Sequence, residues 1–115
     1  MGNIKAKRDW GHSQDYVKAM WSMLQQKDPG DYVVGTGKEH SVESFAKKAF
    51  EHVGLNYKDY LILDETLIRP TEVDTLLANY SKAKKILNWE PKISFDELVK
   101  SMVESDMEFI TKHGY

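Results

Sequence analysis

The sequence predicts a helix-rich α/β fold, about four helices with two or three short strands, and three observations carry that prediction. Apolar residues recur at helical three- and four-residue intervals in four separate segments. Aromatic and β-branched runs too short for a helix stand between some of them. No repeat, low-complexity stretch or long linker divides the chain, so residues 1–115 are expected to form a single domain.

The first helix is expected from His12 to Lys27, with Tyr16, Val17, Met20, Trp21, Met23 and Leu24 as its apolar set, Ser13 as N-cap and Asp15 favourable in the first turn. Asp28-Pro29-Gly30 stops it, because proline disfavours the helical region for the residue before it. Tyr32-Val33-Val34-Gly35-Thr36 then reads as a buried strand. Ser41 opens a second helix with Val42, Phe45, Ala46, Ala49, Phe50 and Val53 on one stripe and Gly54 just past its end. Tyr60-Leu61-Ile62-Leu63 reads as another strand, followed by irregular chain from Asp64 to Asp74. Ser81 to Leu87 is a short helix with Ala83, Ile86 and Leu87 inward, closed by Asn88-Trp89-Glu90-Pro91, with Trp89 packed at its end. Ser94-Phe95-Asp96-Glu97 is a capping box, and it starts a last helix bearing Leu98, Val99, Met102, Val103, Met107 and Ile110 up to Gly114. Two isolated strands are marginal alone, so they must lean on helices or on pieces outside this chain.

Composition removes several classes of function. Sixteen Lys and Arg against eighteen Asp and Glu give a net charge of −2, which offers nucleic acid and anionic membranes no overall attraction. The absence of cysteine excludes disulfides, thiolate nucleophiles and thiolate metal sites, and it fits a cytoplasmic protein. The segment MGNIKAKRDWGH has no apolar signal core, and no window approaches the roughly 18–20 apolar residues of a spanning helix. His12, His40, His52 and His113 lack metal-ligand spacing and read as surface or capping residues, so no metal is expected. Gly35-Thr36-Gly37 lacks the third glycine and the downstream acid of a dinucleotide fingerprint and reads as a tight turn. There is no P-loop, HExxH or GxSxG either, so no cofactor motif is found in this chain.

Two segments carry more. Lys7-Arg8-Asp9-Trp10-Gly11-His12 places an arginine and a carboxylate before a helix, and Arg69-Pro70-Thr71-Glu72 places a second such pair in irregular chain. A guanidinium fork matches phosphate oxygens, and a carboxylate can accept both hydroxyls of a ribose. Chemistry alone leaves two readings open: a nucleotide-diphosphate clamp, or local ion pairs of Arg8 with Asp9 or Asp15 and of Arg69 with Glu72 or Asp74.

The order of words along the chain supplies a resemblance. RDWGHSQDYVKAMWSMLQQ, YVVGTGKEHSVESFAKKAFEHVGL and IRPTEVDTLLANYSKAKKILNWEPKISFDELVKSMVESDMEF resemble, over nearly the whole length, the C-terminal part of the GDP-mannose 4,6-dehydratases, extended short-chain dehydrogenase/reductases. The resemblance implies that Arg8 and Arg69 contact the diphosphate of a GDP-sugar such as GDP-mannose and that Glu72 contacts its ribose. It assigns no contact to Asn3, near the implied guanine pocket. Such enzymes hold NADP in an N-terminal Rossmann domain and convert GDP-mannose to the 4-keto-6-deoxy sugar with a Tyr/Lys pair, a Thr and a Glu. None of those residues has a counterpart here, so the chain is expected to be the substrate-binding lobe without its Rossmann domain, weak in ligand binding and inactive alone. A homo-oligomer or a partner carrying the Rossmann half is the macromolecular association expected. Two departures stand out: Ala78-Asn79-Tyr80 replaces Gly-Asp-Pro, and Leu67-Ile68 replaces a Tyr-Phe pair before the Arg-Pro.

Overall fold

The four expected helices form in the expected order in the computed structural model, which describes residues 1–114. They are α1 (Ser13–Leu24), α2 (Val42–His52), α3 (Ser81–Leu87) and α4 (Phe95–His113). Their ends follow from local chemistry. Ser41 caps α2 by accepting from the Ser44 amide, and Gly54, at φ 75°, follows its C-terminus. Ser94 caps α4 by accepting from the Glu97 amide at 3.2 Å while its hydroxyl donates to the Glu97 carboxylate at 3.0 Å. The cap of α1 differs from expectation: His12, not Ser13, holds the N-cap position, and its Nδ1 accepts from the Gln14 amide at 3.0 Å. An imidazole nitrogen can replace a hydroxyl wherever its lone pair reaches the same amide.

The strands are not where the apolar pattern places them. Neither Tyr32–Thr36 nor Tyr60–Leu63 is paired; instead β1 (Lys7–Asp9) and β2 (Glu39–Ser41) form a two-stranded antiparallel sheet with Arg8 opposite His40. Both strands are polar, so hydrophobic alternation does not reveal them. A ladder depends on which backbones meet, and that is a tertiary matter.

Burial gathers in two places. Ala19, Ala83, Leu87 and Trp89 form one cluster, with Tyr16, Met23, Tyr32, Val34 and Tyr80 packed against it. Trp89 does close the end of α3, whereas Ile86 faces outward at 47% exposure, contrary to expectation. The second place is the contact of α2 with α4, where Ala46, Phe95, Leu98 and Val99 are buried and Phe45 lies between the rings of Trp10 and Phe95 at 5.0 and 5.9 Å. Beyond Val99, α4 leaves the core: Met102, Met107 and Ile110 are exposed although the sequence marks them as inward.

Between the two clusters sits Asp15, buried at 2% exposure. Its carboxylate accepts the amides of Lys92 and Ile93 at 3.1 and 3.0 Å, and its carbonyl accepts the Trp89 indole N–H at 2.9 Å. This one residue therefore fixes the turn between α3 and α4 onto α1. Asp15→Ala removes the acceptor of two partly buried amides, and a loss of about 1–3 kcal/mol in urea-unfolding stability is expected. Asp15→Asn keeps one acceptor oxygen and loses less.

Candidate functional site

The site is assembled on β1. The Lys7 amide donates to the Asp74 carbonyl at 2.7 Å and the Lys7 carbonyl accepts from the Leu76 amide at 3.3 Å, which lays the 69–76 loop beside β1. Arg8 then reaches that loop. Its Nη1 donates to the carbonyls of Lys7 and Val73, both at 2.7 Å, and its Nη2 lies 3.4 Å from Glu72 Oε1. The second oxygen of Glu72 accepts from Asn3 Nδ2 at 3.4 Å.

Arg8, Arg69 and Glu72 line one cavity of about 310 Å³, together with Asn3, Trp10 and Leu67. The two arginine segments, separate in sequence, thus converge. Of the two readings left open, local ion pairs fail in their specifics: Arg8 pairs with Glu72 rather than with Asp9 or Asp15, and among the described residues Arg69 makes no ion pair. With two guanidinium groups against one carboxylate, the cavity wall carries a net positive charge. Three of the five Arg8 N–H bonds are already engaged, leaving two for an anion. The Arg8–Glu72 pair is itself long and partly exposed, 26% and 21%, and contributes at most about 1 kcal/mol. Its main effect is to orient both groups.

Asp9, next to Arg8, turns the other way. The Asp9 carboxylate accepts four hydrogen bonds, from the Thr36 amide and hydroxyl and from the amides of Gly37 and Ala78, at 2.7 to 3.2 Å. Burial pushes its pKa up, but the bonds from Thr36, Gly37 and Ala78 outweigh that and hold it below the ordinary value. The Trp10 indole donates to the His40 carbonyl at 3.1 Å. Neither Asp9 nor Asp15 announces its role in the sequence, since each acts on amides far along the chain.

The glycine turn does not fit a dinucleotide. A Cβ on Gly35 would lie 2.2 Å from Ala78 Cβ, and Gly37 adopts φ 73°, so both glycines serve a close approach and a left-handed turn. The Thr36 and Gly37 amides that could face a phosphate are already bound to a carboxylate. Among the described residues no three His, Asp or Glu side chains gather as metal ligands. Of the histidines, His12 caps α1, His52 meets Glu104 at 3.3 Å, and His40 lies against Phe95 with centroids 3.9 Å apart. Burial, reinforced by Lys48, lowers the His40 pKa below its usual 6.5. No helix of the described residues is long and apolar enough to cross a membrane.

Comparison with known proteins places this lobe. The family model described as GDP-mannose 4,6 dehydratase matches residues 1–102. GDP-mannose 4,6 dehydratase 1 of Arabidopsis thaliana is 54% identical over 108 residues, covering 94% of this chain and 30% of its own length. The human GDP-mannose 4,6 dehydratase is 44% identical over 127 aligned positions, covering 96% of this chain and 34% of its own. Those positions outnumber the 115 residues here, so the human protein carries residues with no counterpart in this chain. Among solved structures, a UDP-glucose 4-epimerase from Thermotoga maritima with UDP-glucose superposes with a TM-score of 0.84 at 28% identity, over 96% of this chain and 34% of that one. A dTDP-glucose 4,6-dehydratase from Bacillus anthracis superposes at 0.78 with 22% identity, over 93% of this chain and 33% of that one, which shows the shared fold. The chain thus spans about a third of the length of the relatives it matches.

The Asp9 pKa makes a testable statement about pH. A carboxyl with a lowered folded pKa contributes stability that is full above its unfolded value, about 3.9, and is lost as pH falls through the folded value. Urea midpoints measured from pH 5 down to 2 should therefore fall more steeply for the wild type than for Asp9→Asn. Parallel curves would contradict the assignment.

Proposed function

Because the chain belongs to the GDP-mannose 4,6-dehydratase family, we propose that it is that family's sugar-nucleotide-binding portion, with Arg8 and Arg69 on the diphosphate and Glu72 on the ribose. The observation that carries this reading is the shared cavity: residues 8, 69 and 72 come from two distant segments and line one space of about 310 Å³. A diphosphate there accepts the remaining Arg8 N–H bonds and the unpaired Arg69 fork, while Glu72, already aligned by Asn3, offers its carboxylate to hydroxyl groups. Asn3 lies on the wall and is a candidate for the base or ribose. That the solved epimerase it resembles was crystallised with UDP-glucose supports a nucleoside-diphosphate sugar as the ligand class.

Binding is the extent of the proposed activity for this chain. Conversion of GDP-mannose to the 4-keto-6-deoxy sugar requires NADP and a Tyr/Lys pair, for which the residues here supply neither a fitting glycine turn nor matching side chains. Affinity is expected to be weak, because Arg69 is exposed and its bonds to phosphate compete with water. A cytoplasmic setting, where nucleotide sugars and reduced thiols coexist, agrees with a chain free of cysteine.

Titration calorimetry with GDP and GDP-mannose is the direct test. Both should give heat, mannose alone should give none, and Arg69→Ala should weaken binding at least about tenfold, the scale of a lost charge-assisted hydrogen bond. Raising the salt should weaken it further. No heat with GDP at millimolar concentration, or an Arg69→Ala variant that binds equally well, sinks the reading.

A further inference from the structure

The Glu72 carboxylate is held from two directions. Arg8, on β1, brings Nη2 to 3.4 Å from Oε1, and Asn3, just upstream of β1, brings Nδ2 to 3.4 Å from Oε2. Each oxygen therefore has one donor beside it. A carboxylate presents about four lone-pair positions, two on each oxygen, so one position on each stays open. Two open acceptor positions on one planar group fit the adjacent hydroxyls of a ribose, and a 2′-deoxyribose fills only one of them.

The backbone sets the orientation of Asn3. Its Oδ1 accepts from the Lys5 amide at 3.0 Å. A backbone N–H only donates, so the oxygen end of the side-chain amide belongs on Lys5 and the NH2 end is left for Glu72. The segment beneath is fixed as well. The Glu43 and Val42 amides at the start of α2 donate to the carbonyls of Ile4 and Ala6, both at 3.0 Å, and a Cβ on Gly2 would stand 2.7 Å from the Leu67 carbonyl oxygen. This anchorage on α2 is separate from the Lys7 bonds that bring Glu72 to β1. Asn3, half-buried in the cavity wall, thus meets Glu72 from an independently placed segment.

We propose that Asn3 is a positioning residue through which this site selects a ribonucleoside diphosphate over its 2′-deoxy counterpart: its NH2 group holds Oε2 so that both Glu72 oxygens face the hydroxyls of the ribose. The proposal rests on the reading of Glu72 as the ribose ligand, and it places Asn3 on the sugar through Glu72 rather than on the base. Without the Asn3 donor, Glu72 keeps one oriented oxygen, the one beside Arg8, and the 3′ hydroxyl that both sugars carry satisfies it. A site that presents an acceptor to a hydroxyl rejects the ligand lacking it, because the acceptor is then left unpaired. Glu72 is 21% exposed, so water partly fills the gap and limits the discrimination to about tenfold.

Titration of the 115-residue chain with GDP and with 2′-deoxy-GDP tests this. The wild type should bind GDP about tenfold more tightly. Asn3→Asp has the same shape and still accepts from the Lys5 amide, but it sets a second carboxylate oxygen against Glu72 and should bring the ratio to within about twofold of unity. A role confined to capping Lys5 leaves the ratio unchanged in that variant. Arg69→Ala should weaken both nucleotides equally and keep the ratio. A measurement without ligand stands beside these: in 15N spectra the side-chain amide signals of Asn3 should shift in Glu72→Ala and stay in place in Arg69→Ala. The proposal is overturned if Asn3→Asp keeps the wild-type ratio or if the Asn3 signals do not respond to Glu72→Ala. Binding that depends on Arg69 but does not distinguish the two sugars removes this proposal alone, whereas no binding of either nucleotide removes the diphosphate clamp and this proposal with it.

Discussion

Two backbone hydrogen bonds on Lys7 hold the candidate site together. Arg8 meets Glu72 and shares a wall with Arg69 only because the Lys7 main chain is bonded to Asp74 and to Leu76, 67 and 69 residues away. Without that attachment the 69–76 loop has no reason to lie beside β1, and Arg8 on the strand and Arg69 on the loop would line no common cavity. The attachment is cheap in residues and strict in geometry. One strand position satisfies both neighbours, the antiparallel partner in β2 and the parallel contact at Thr75.

Around that attachment the side chains of β1 divide their work. Arg8 turns to the cavity, and Asp9 turns away to tie the Gly35–Gly37 turn and Ala78 to the strand with four hydrogen bonds. The same turn that sequence reasoning weighed as a phosphate cradle is thus consumed by a carboxylate, and its glycines are explained by contact with Ala78 and by a left-handed φ. The departure at Ala78-Asn79-Tyr80 is absorbed locally: the Ala78 amide reaches Asp9 and the Asn79 side chain accepts from the Ser81 amide at 3.1 Å, replacing the turn that proline would have supplied. A polar strand therefore ties down the turn on one side and lines the cavity on the other.

The apolar surface follows from the same distribution. Helix α1 carries a wide apolar face beside the polar side of Gln14, Lys18 and Ser22, and the three- and four-residue spacing registers its apolar residues without saying which of them are covered. Ala19, Tyr16 and Met23 meet the core while Val17, Met20, Trp21 and Leu24 do not. Likewise α4 carries apolar residues along its length, and among the described residues only Phe95, Leu98 and Val99 of it are buried. Periodicity counts the residues that some partner will bury. It does not count the partners present.

What the sequence determined by itself is the local chemistry: four helices, the caps at Ser41 and Ser94, the stop at Gly54, the closing role of Trp89 and the family membership carried by its word order. These depend on spacing and on neighbours within a few residues, which is the range over which capping and periodicity operate. Tertiary structure alone decided that β1 and β2 are the paired strands and that Asp9 and Asp15 are the organising carboxylates, and it chose, between the two readings of the arginine segments that the chemistry left open, the one in which residues 8, 69 and 72 face one cavity. Each of those depends on backbone groups meeting from distant parts of the chain. Hydrogen-bonding capacity is the same at almost every residue, so only the folded path selects which amides a carboxylate or a strand edge will find.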